Sequence, residues 1–504
     1  MANNVTTVVE KLETGIVGFD DIANGGLPEG RTTLVAGTAG SAKTVFAAQF
    51  LVRGITEADE GGVFVTFEET PDDVRKNLLA FGWDISAFEA AGKWAFVDVS
   101  PRPDEQVVVS GEFDLGGLLA RIEHAVRKVG AKRVSVDSIA AVFGKFEQQA
   151  IIRRELLRLA SALKQIGVTA ILTAERSEEY GDIARYGIEE FVADNVIILR
   201  NVLEGERRRR TIEILKFRGT NHQKGEFPFV ISSKRGIIGV PLSMVKLNQK
   251  SSLKRIETGN DELDRMCEGG FFRDSIVLVS GATGAGKTLM STEFLAAAKA
   301  PERCLLFAFE ESRDQLIRNA TGWGLDFEKM EEEGRLKIVC EYPEVLGLED
   351  HLVRMKDLIE EFHPTRIAVD SLSALERVST IKSFREFVIG LTSYIKKQGI
   401  AGLFTSVTPS LMGGTSITEA HISTITDSII LLRYVEMFGE ISRGIAVLKM
   451  RGSAHDKQIR EYKIDGDGMH IGRPFRNVTG IISGTPTYVA PGEQDRLGEM
   501  FTDE

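Results

Sequence analysis

The chain has 504 residues, of which 43% are apolar and 27% charged, and its formal net charge is −11. This length exceeds one ordinary core and predicts at least two domains, while the acidic balance argues against non-specific nucleic-acid binding. The apolar stretches are too short to span a bilayer, residues 1–12 lack the apolar core of a secretory leader, and three widely spaced cysteines fit no zinc motif, so we expect reduced thiols in a cytoplasmic protein.

Short apolar, β-branched runs alternate with helical segments along each half of the chain. In the first half the predicted strands cover residues 34–36, 63–67, 134–136, 170–173 and 195–199. Near-continuous apolar runs between helices are typical of a mostly parallel sheet with helices on both faces. The predicted fold class is therefore α/β, with ligands at the carboxyl ends of the strands.

The same motifs recur in the same order in both halves, about 240 residues apart, which indicates a duplicated unit. The repeated segments are 37–44 and 281–288, 67–69 and 309–311, 137–138 and 370–371, and 216–219 and 449–452. We therefore predict an N-terminal domain over 1–247, a C-terminal domain over 248–484 and a flexible acidic tail over 485–504.

Each half contains a glycine-rich loop between a predicted strand and a predicted helix. The second loop fits G-x-x-x-x-G-K-[ST] without a mismatch, between a strand at 275–280 and a helix at 289–298. Backbone N–H groups of such a loop hold phosphate oxygens at the positive end of the helix, and the lysine reaches the β- and γ-phosphates. The predicted ATP-binding residues are Gly37, Thr38, Ala39, Gly40, Ser41, Ala42, Lys43 and Thr44, and Gly281, Ala282, Thr283, Gly284, Ala285, Gly286, Lys287 and Thr288.

One loop position departs from the pattern, because Ala42 replaces the second motif glycine. A Cβ is tolerable there only if the local φ is negative or the loop adjusts. Lys43 and Thr44 are in place, so ATP binding is still expected, and the rate of hydrolysis in this half stays open.

Two aspartates, Asp137 and Asp370, each end an apolar strand. A carboxylate there can bind the hydration shell of Mg²⁺, or it can cap a following helix. Behind a matching phosphate loop we favour magnesium. The predicted ligands are Thr44, Asp137, Thr288, Glu310 and Asp370.

A pair of adjacent glutamates, Glu68-Glu69 and Glu310-Glu311, follows the next strand in each half. Two carboxylates at a strand end could orient an attacking water or accept a proton from a hydroxyl nucleophile. The alternative is an acid pair in the first turn of a helix. Because the pair recurs at the same place, we favour a catalytic role.

The Lys-x-Arg-Gly segments carry four basic candidates: Lys216, Arg218, Lys449 and Arg451. Such groups could reach the γ-phosphate of a nucleotide on a neighbouring subunit. They could equally stand on a solvated strand edge, where lysine is common. The residues alone leave both alternatives open.

A duplicated phosphate-loop unit with Phe-Glu-Glu pairs and Lys-x-Arg-Gly ends resembles the RecA-like superfamily, and more closely the KaiC family of circadian clock ATPases and kinases. The resemblance runs from Thr14 to about residue 485 and is strongest over 18–22, 64–71, 202–211 and 419–427. It implies two tandem RecA-like domains that use ATP and Mg²⁺.

The resemblance also implies a division of labour between the halves. The N-terminal half is expected to be a slow ATPase in which Glu68 and Glu69 activate water. The C-terminal half is expected to be an autokinase and phosphatase in which Glu310 and Glu311 assist attack by a hydroxyl group.

The family's phosphorylation sites fall on Ser423 and Thr424 in this chain. The resemblance implies a homohexamer of two stacked rings in which the four basic candidates act on a neighbour's nucleotide. A KaiB-like clock protein is the expected partner. A KaiA partner is not expected, because the tail does not match the KaiA-binding pattern, and neither nucleic acid nor membrane is expected.

Two other functions compete with this interpretation. A DNA recombinase or helicase motor could use RecA-like domains, but the acidic charge and the lack of an appended DNA-binding module argue against it. A scaffold that uses ATP only to hold a hexamer together is disfavoured by the retained glutamate pairs.

Overall fold

In a computed structural model, the chain forms two compact units, Met1–Pro241 and Leu242–Glu504. The structure describes residues 9–100, 115–139, 149–184, 193–241, 251–408, 422–437, 439–482 and 486–488. The predicted domain boundary and nearly all of the predicted tail lie outside this part, so both stay predictions. No helix among the described residues is long and apolar enough to cross a membrane.

The first unit is built on a nine-stranded sheet with the order β11-β10-β9-β8-β3-β7-β6-β4-β5. Strands β8, β3, β7, β6, β4 and β5 run parallel, and β9, β10 and β11 continue the sheet as antiparallel hairpins. The strands are β1 (Lys11–Leu12), β2 (Leu27–Pro28), β3 (Thr32–Gly37), β4 (Gly61–Thr66), β5 (Trp94–Asp98), β6 (Ala131–Asp137), β7 (Thr169–Glu175), β8 (Asn195–Glu204), β9 (Arg207–Phe217), β10 (Glu226–Ser232) and β11 (Gly236–Gly239).

The described helices of this unit connect the parallel strands, except for Phe19–Ile22, which lies between β1 and β2. They are Phe19–Ile22, Lys43–Ala58, Pro71–Leu79, Ile85–Ala90, Leu115–Val129 and Gln149–Ile166. Fully buried side chains such as Val134 on β6 and Ile122 on the helix Leu115–Val129 belong to one apolar core. Burial of both sheet faces explains why the parallel strands read as continuous apolar runs.

The second unit repeats this architecture, with the sheet order β16-β15-β17-β18-β14-β19-β20-β21-β22. Its strands are β12 (Arg255–Ile256), β13 (Phe271–Phe272), β14 (Ile276–Gly281), β15 (Cys304–Ala308), β16 (Leu336–Cys340), β17 (Arg366–Asp370), β18 (Ala401–Val407), β19 (Ser428–Met437), β20 (Glu440–Met450), β21 (Arg460–Asp465), β22 (Gly468–Pro474), β23 (Val478–Thr479) and β24 (Thr487–Tyr488). Its described helices are Asp261–Met266, Lys287–Ala296, Arg313–Gly322, Phe327–Glu332, Leu348–Phe362, Leu372–Arg377 and Ile381–Lys397.

The predicted fold class is confirmed, because both large sheets are mostly parallel and are flanked by helices. In each sheet the strand that leads into the phosphate loop, β3 or β14, lies at the centre. The carboxyl ends of the neighbouring parallel strands meet beside that loop, where ligands of open α/β sheets bind.

Candidate nucleotide site

Both predicted phosphate loops join a buried central strand to the start of a helix. The first loop connects β3 to the helix Lys43–Ala58, and the second connects β14 to the helix Lys287–Ala296. In the first, Lys43 Nζ donates hydrogen bonds to the carbonyl oxygens of Gly37 and Thr38, both at 2.9 Å. In the second, Lys287 Nζ donates to the Gly281 and Ala282 carbonyls at 2.9 and 2.8 Å.

The two loop lysines differ in the carboxylates around them. Burial lowers the pKa of Lys43, and the charges of Glu175, Asp137, Glu68 and Glu179 oppose that shift. The Lys43 ammonium is therefore partly desolvated and surrounded by carboxylates, which favour its charged form.

In the second half the surroundings of the lysine are less acidic. Burial again lowers the pKa of Lys287, and the charges of Asp370 and Glu310 oppose it. These two acids are predicted site residues, so the structure brings the loop, the strand-end aspartate and the first glutamate together in each half.

Ala42 keeps the backbone conformation that a glycine would have. Its φ is 73°, close to the 94° of Gly286, its counterpart in the second loop. The first of the two expected alternatives, a negative φ, is therefore wrong. Position 42 instead holds an L-residue in the left-handed region, which costs about 1–2 kcal/mol.

The strand-end aspartates lie beside the phosphate loops and are engaged by threonine hydroxyls. Thr405 Oγ1 donates to Asp370 Oδ1 at 2.5 Å, and Thr173 donates to Asp137 in the same way. Burial raises the pKa of Asp370, against hydrogen bonds from Thr405 and Thr288. The Thr288 hydroxyl and the Asp370 carboxylate are thus adjacent, and this oxygen set fits Mg²⁺.

The alternative role of Asp370 as a helix cap is not realised. The residue at the N-cap of the helix Leu372–Arg377 is Ser371. The helix-start interpretation of the glutamate pairs is also wrong, because the next helices are capped by Thr70 and Ser312, beyond both pairs.

In the first half, the glutamate pair is held by polar neighbours. Ser138 Oγ donates to Glu68 Oε1 at 3.1 Å, and Asn77 Nδ2 donates to Glu69 Oε2 at 3.0 Å. Burial raises the pKa of Glu68, assisted by the charges of Glu175 and Asp137. Glu68 is therefore a stronger proton acceptor than an exposed glutamate.

In the second half, Glu310 is held from two sides. Ser371 Oγ donates to Glu310 Oε2 at 3.1 Å, and Arg377 Nη2 donates to Glu310 Oε1 at 2.5 Å. Glu311 accepts from Asn319 Nδ2 at 3.1 Å, and burial followed by the charge of Asp370 raises the pKa of Glu311. Here the second glutamate is the one with increased basicity.

The Lys-x-Arg-Gly residues contact the segment that precedes β8 or β19. Lys216 Nζ donates to the Ala193 carbonyl at 2.9 Å, and Arg218 pairs with Asp194 at 3.5 Å. A one-residue bulge places Leu215 between two register positions of β9, directly before Lys216. Bulges of this kind re-aim the side chains that follow them.

The equivalent residues of the second half hold the predicted phosphorylation segment. Lys449 Nζ donates to the Thr426 carbonyl at 2.6 Å, and Arg451 Nη2 donates to the Thr424 carbonyl at 2.8 Å. Thr424 is exposed at the end of the 3₁₀ helix Ile422–Thr424. The side chain of Ser423 lies outside the described part of the chain.

Three residues at these sites were missed from the sequence: Glu175, Glu179 and Arg377. Glu179 accepts a hydrogen bond from Thr38 Oγ1 at 2.6 Å and from the Asn201 backbone N–H at 3.0 Å. Glu175 ends a buried strand, the signal that identified Asp137, and could have been found in that way. Arg377 carries no comparable signal.

Comparison with known proteins agrees with this geometry. The family model described as "ATPase: KaiC" matches residues 12–242 and again residues 256–475. The chain is 67% identical over 505 residues to "Circadian clock protein KaiC3" of Synechocystis sp., covering 100% of both chains. It is 56% identical to "Circadian clock oscillator protein KaiC" of Synechococcus elongatus, covering 99% of this chain and 96% of that protein, and 56% identical to the protein of the same name from Thermostichus vulcanus, covering 98% and 95%.

Proposed function

The chain belongs to the KaiC family of ATPases, and from this premise we propose that it is an autophosphorylating protein of a circadian clock or timer. It assembles as a double-ring homohexamer in the cytoplasm, hydrolyses ATP, and adds phosphate to and removes it from its own Ser423 and Thr424. A KaiB-like clock protein is its expected partner.

The observation that carries the proposal is the shared layout of the two halves. Each half has the first glutamate of a carboxylate pair and a strand-end aspartate near the lysine of a phosphate loop. ATP-dependent phosphoryl transfer requires little more than this: a cradle for the phosphates, an acid for the metal and a carboxylate that orients the nucleophile.

The glutamates support different nucleophiles in the two halves. In the N-terminal half the raised pKa of Glu68 suits it to take a proton from an attacking water. In the C-terminal half Glu311 has the raised pKa and suits a Ser or Thr hydroxyl, while Arg377 and Ser371 hold Glu310 in one orientation. Mg²⁺, when held by Thr288 and Asp370, would neutralise charge on the phosphates.

The phosphorylation segment is supported by its exposure and its basic surroundings. The exposed Thr424 stands beside Arg451, whose guanidinium binds the Thr424 carbonyl. A phosphate adds about −1.5 to −2 charge at neutral pH. Next to Arg451 that charge would change how this segment binds a neighbouring subunit, and so convert a slow reaction into a stored state.

Intact-mass spectrometry of the purified full chain with Mg-ATP tests the proposal. We expect mass gains of one or two phosphates in the parent chain and none in Glu310→Gln/Glu311→Gln or in Ser423→Ala/Thr424→Ala. The matched control is Glu68→Gln/Glu69→Gln, the same change in the other half, which should reduce ADP production and leave phosphate incorporation in place.

The assay also separates the competing functions. ADP that accumulates without any mass gain would reduce the protein to an ATPase and refute the autokinase. Mass gains that persist in Ser423→Ala/Thr424→Ala would move the modification elsewhere, and peptide mapping of the phosphorylated chain would then identify the site.

A further inference from the structure

Strand β7 occupies the position between the phosphate loop and the predicted magnesium acid of the N-terminal half. Its neighbours in the sheet are β3, which leads into the loop, and β6, which ends in Asp137. Its last residue, Glu175, is in register with Gly37, the first residue of the loop, and the next N–H, that of Arg176, donates to the Gly37 carbonyl at 3.0 Å. Glu175 therefore lies beside the first residue of the phosphate loop.

The charge of Glu175 acts on two groups that handle the phosphates. Burial lowers the pKa of Lys43, and Glu175 is the foremost of the carboxylates that oppose this shift. Its charge also adds to the effect of burial in raising the pKa of Glu68. The register of β7 with β3 and this attraction both indicate that the Glu175 carboxylate lies near the loop lysine.

The C-terminal half has an apolar residue at the equivalent position. The last residue of β18 is Val407, in register with Gly281 at the start of the second loop. The neighbouring Thr408 N–H donates to the Gly281 carbonyl at 3.1 Å, as Arg176 does in the first half. Since the backbone is the same, Glu175 adds one negative charge at this position of the N-terminal site. The residue that follows it, Arg176, is a cation whose guanidinium donates to the Asp182 and Gly181 carbonyls, and its counterpart Thr408 is neutral.

We propose that Glu175 determines how strongly the N-terminal site prefers ATP over ADP. Its carboxylate attracts Lys43 and repels the γ-phosphate that this lysine must neutralise, so it disfavours ATP selectively. ADP lacks the γ-phosphate, so this repulsion weakens ADP binding less than ATP binding. The proposal rests on nucleotide binding by the N-terminal loop, as set out above, and assigns Glu175 as a specificity-determining residue of that site.

The test measures nucleotide affinities in the full chain with one loop disabled. Lys287→Ala confines binding to the N-terminal site, and calorimetry then gives Kd values for Mg-AMP-PNP and Mg-ADP. In this background Glu175→Gln should tighten AMP-PNP binding about tenfold, a modest effect for removal of one like charge, and should change ADP binding less than twofold. A structural defect would instead weaken both nucleotides.

Matched variants separate charge from position. Glu178→Gln removes the same charge from an exposed residue of the following segment and should leave both affinities unchanged. Glu175→Asp keeps the charge and should keep the parent ratio. In the reciprocal Lys43→Ala background, Val407→Glu should weaken AMP-PNP binding relative to ADP, whereas Val407→Gln should not.

The outcomes distinguish this inference from the proposed function. The role of Glu175 would be overturned if the Kd values of both nucleotides changed equally. It would also be overturned if neither Glu175→Gln nor Val407→Glu changed either Kd. Both results would leave the proposed function standing. A Lys287→Ala chain that binds neither nucleotide would overturn nucleotide binding in the N-terminal half, and this inference with it.

Discussion

The phosphate-loop helices of the two halves carry different residues at one buried position. In the N-terminal half it is Gln49, whose Nε2 donates to the Arg235 and Ile237 carbonyls, both at 3.1 Å. Its Oε1 accepts the Ile237 N–H at 2.6 Å. A neutral amide thus satisfies the backbone of β11 with both of its functions.

In the C-terminal half the same position is Glu293. Its Oε1 accepts the Met469 N–H at 2.8 Å, while a separate residue, Asn260, donates to the Met469 carbonyl at 2.5 Å. Burial raises the pKa of Glu293 to about 7, against the hydrogen bond from Met469 and the charge of His470. An ionised carboxylate cannot donate a hydrogen bond, so the Met469 carbonyl takes its hydrogen bond from Asn260 instead. Because the pKa of Glu293 is near 7, the stability of this unit depends on pH.

The largest expected effect comes from giving the N-terminal unit the carboxylate. Gln49→Glu removes two donated hydrogen bonds and buries a charge at a position that is 0% exposed. We expect the free energy of unfolding of this unit to fall by about 3–5 kcal/mol at pH 8, measured from urea denaturation of the full chain. A loss below 1 kcal/mol would contradict the role of the Gln49 amide in satisfying the backbone around β11.

The reverse exchange should remove a pH dependence. The ordinary pKa of 4.5 for Glu293 rises to about 7 in the fold, so the folded chain holds the proton more tightly than the unfolded chain does. Stability therefore falls as pH rises from about 4.5 to about 7 and then levels. Glu293→Gln should stabilise the C-terminal unit by about 2–3 kcal/mol at pH 8 and by little at pH 5. Parallel pH profiles of mutant and parent would contradict this.

A smaller effect is expected at the loop position that also differs between the halves. Ala42→Gly should stabilise the N-terminal unit by about 1 kcal/mol, because it removes left-handed strain. Gly286→Ala should destabilise the C-terminal unit, since φ is 94° and a Cβ would approach Ile464 Cδ1 to 2.7 Å. Thermal melts of the two variants should shift in opposite directions, and shifts of equal sign would refute the comparison.

The smallest stability effect is expected for Arg377, the partner that holds Glu310. Both side chains of this ion pair are substantially exposed, so Arg377→Gln should change unfolding free energy by at most about 1 kcal/mol. Phosphate incorporation should nevertheless slow by roughly tenfold, as when a partner that orients a ligand carboxylate is lost. Exposed Arg354→Gln, assayed by the same mass spectrometry, is the control that should leave the rate unchanged.

Local patterns in the sequence predicted the fold and the centre of each site. Apolar runs located the parallel strands, and glycine spacing with a following lysine located both loops, because these signals lie within a few neighbouring residues. The contact between Glu293 and Met469 joins residues 176 positions apart, and no local pattern reports it. The φ of Ala42 was also out of reach, since it is imposed by the loop as a whole rather than by alanine's own preference.

A one-residue bulge directly precedes the lysine of the Lys-x-Arg-Gly segment in both halves of the chain. The extra residue is Leu215 in β9, opposite Val196 and Ile197, and Leu448 in β20, opposite Ile429 and Ile430. A one-residue insertion in a strand sends every later side chain to the opposite face. Two separate insertions at the same place would be needed if the halves had acquired them independently, whereas a single ancestral unit that already contained the bulge needs only one. The shared bulge is therefore a property of the repeated unit, and it sets the direction of Lys216 and Lys449 in the same way in both halves.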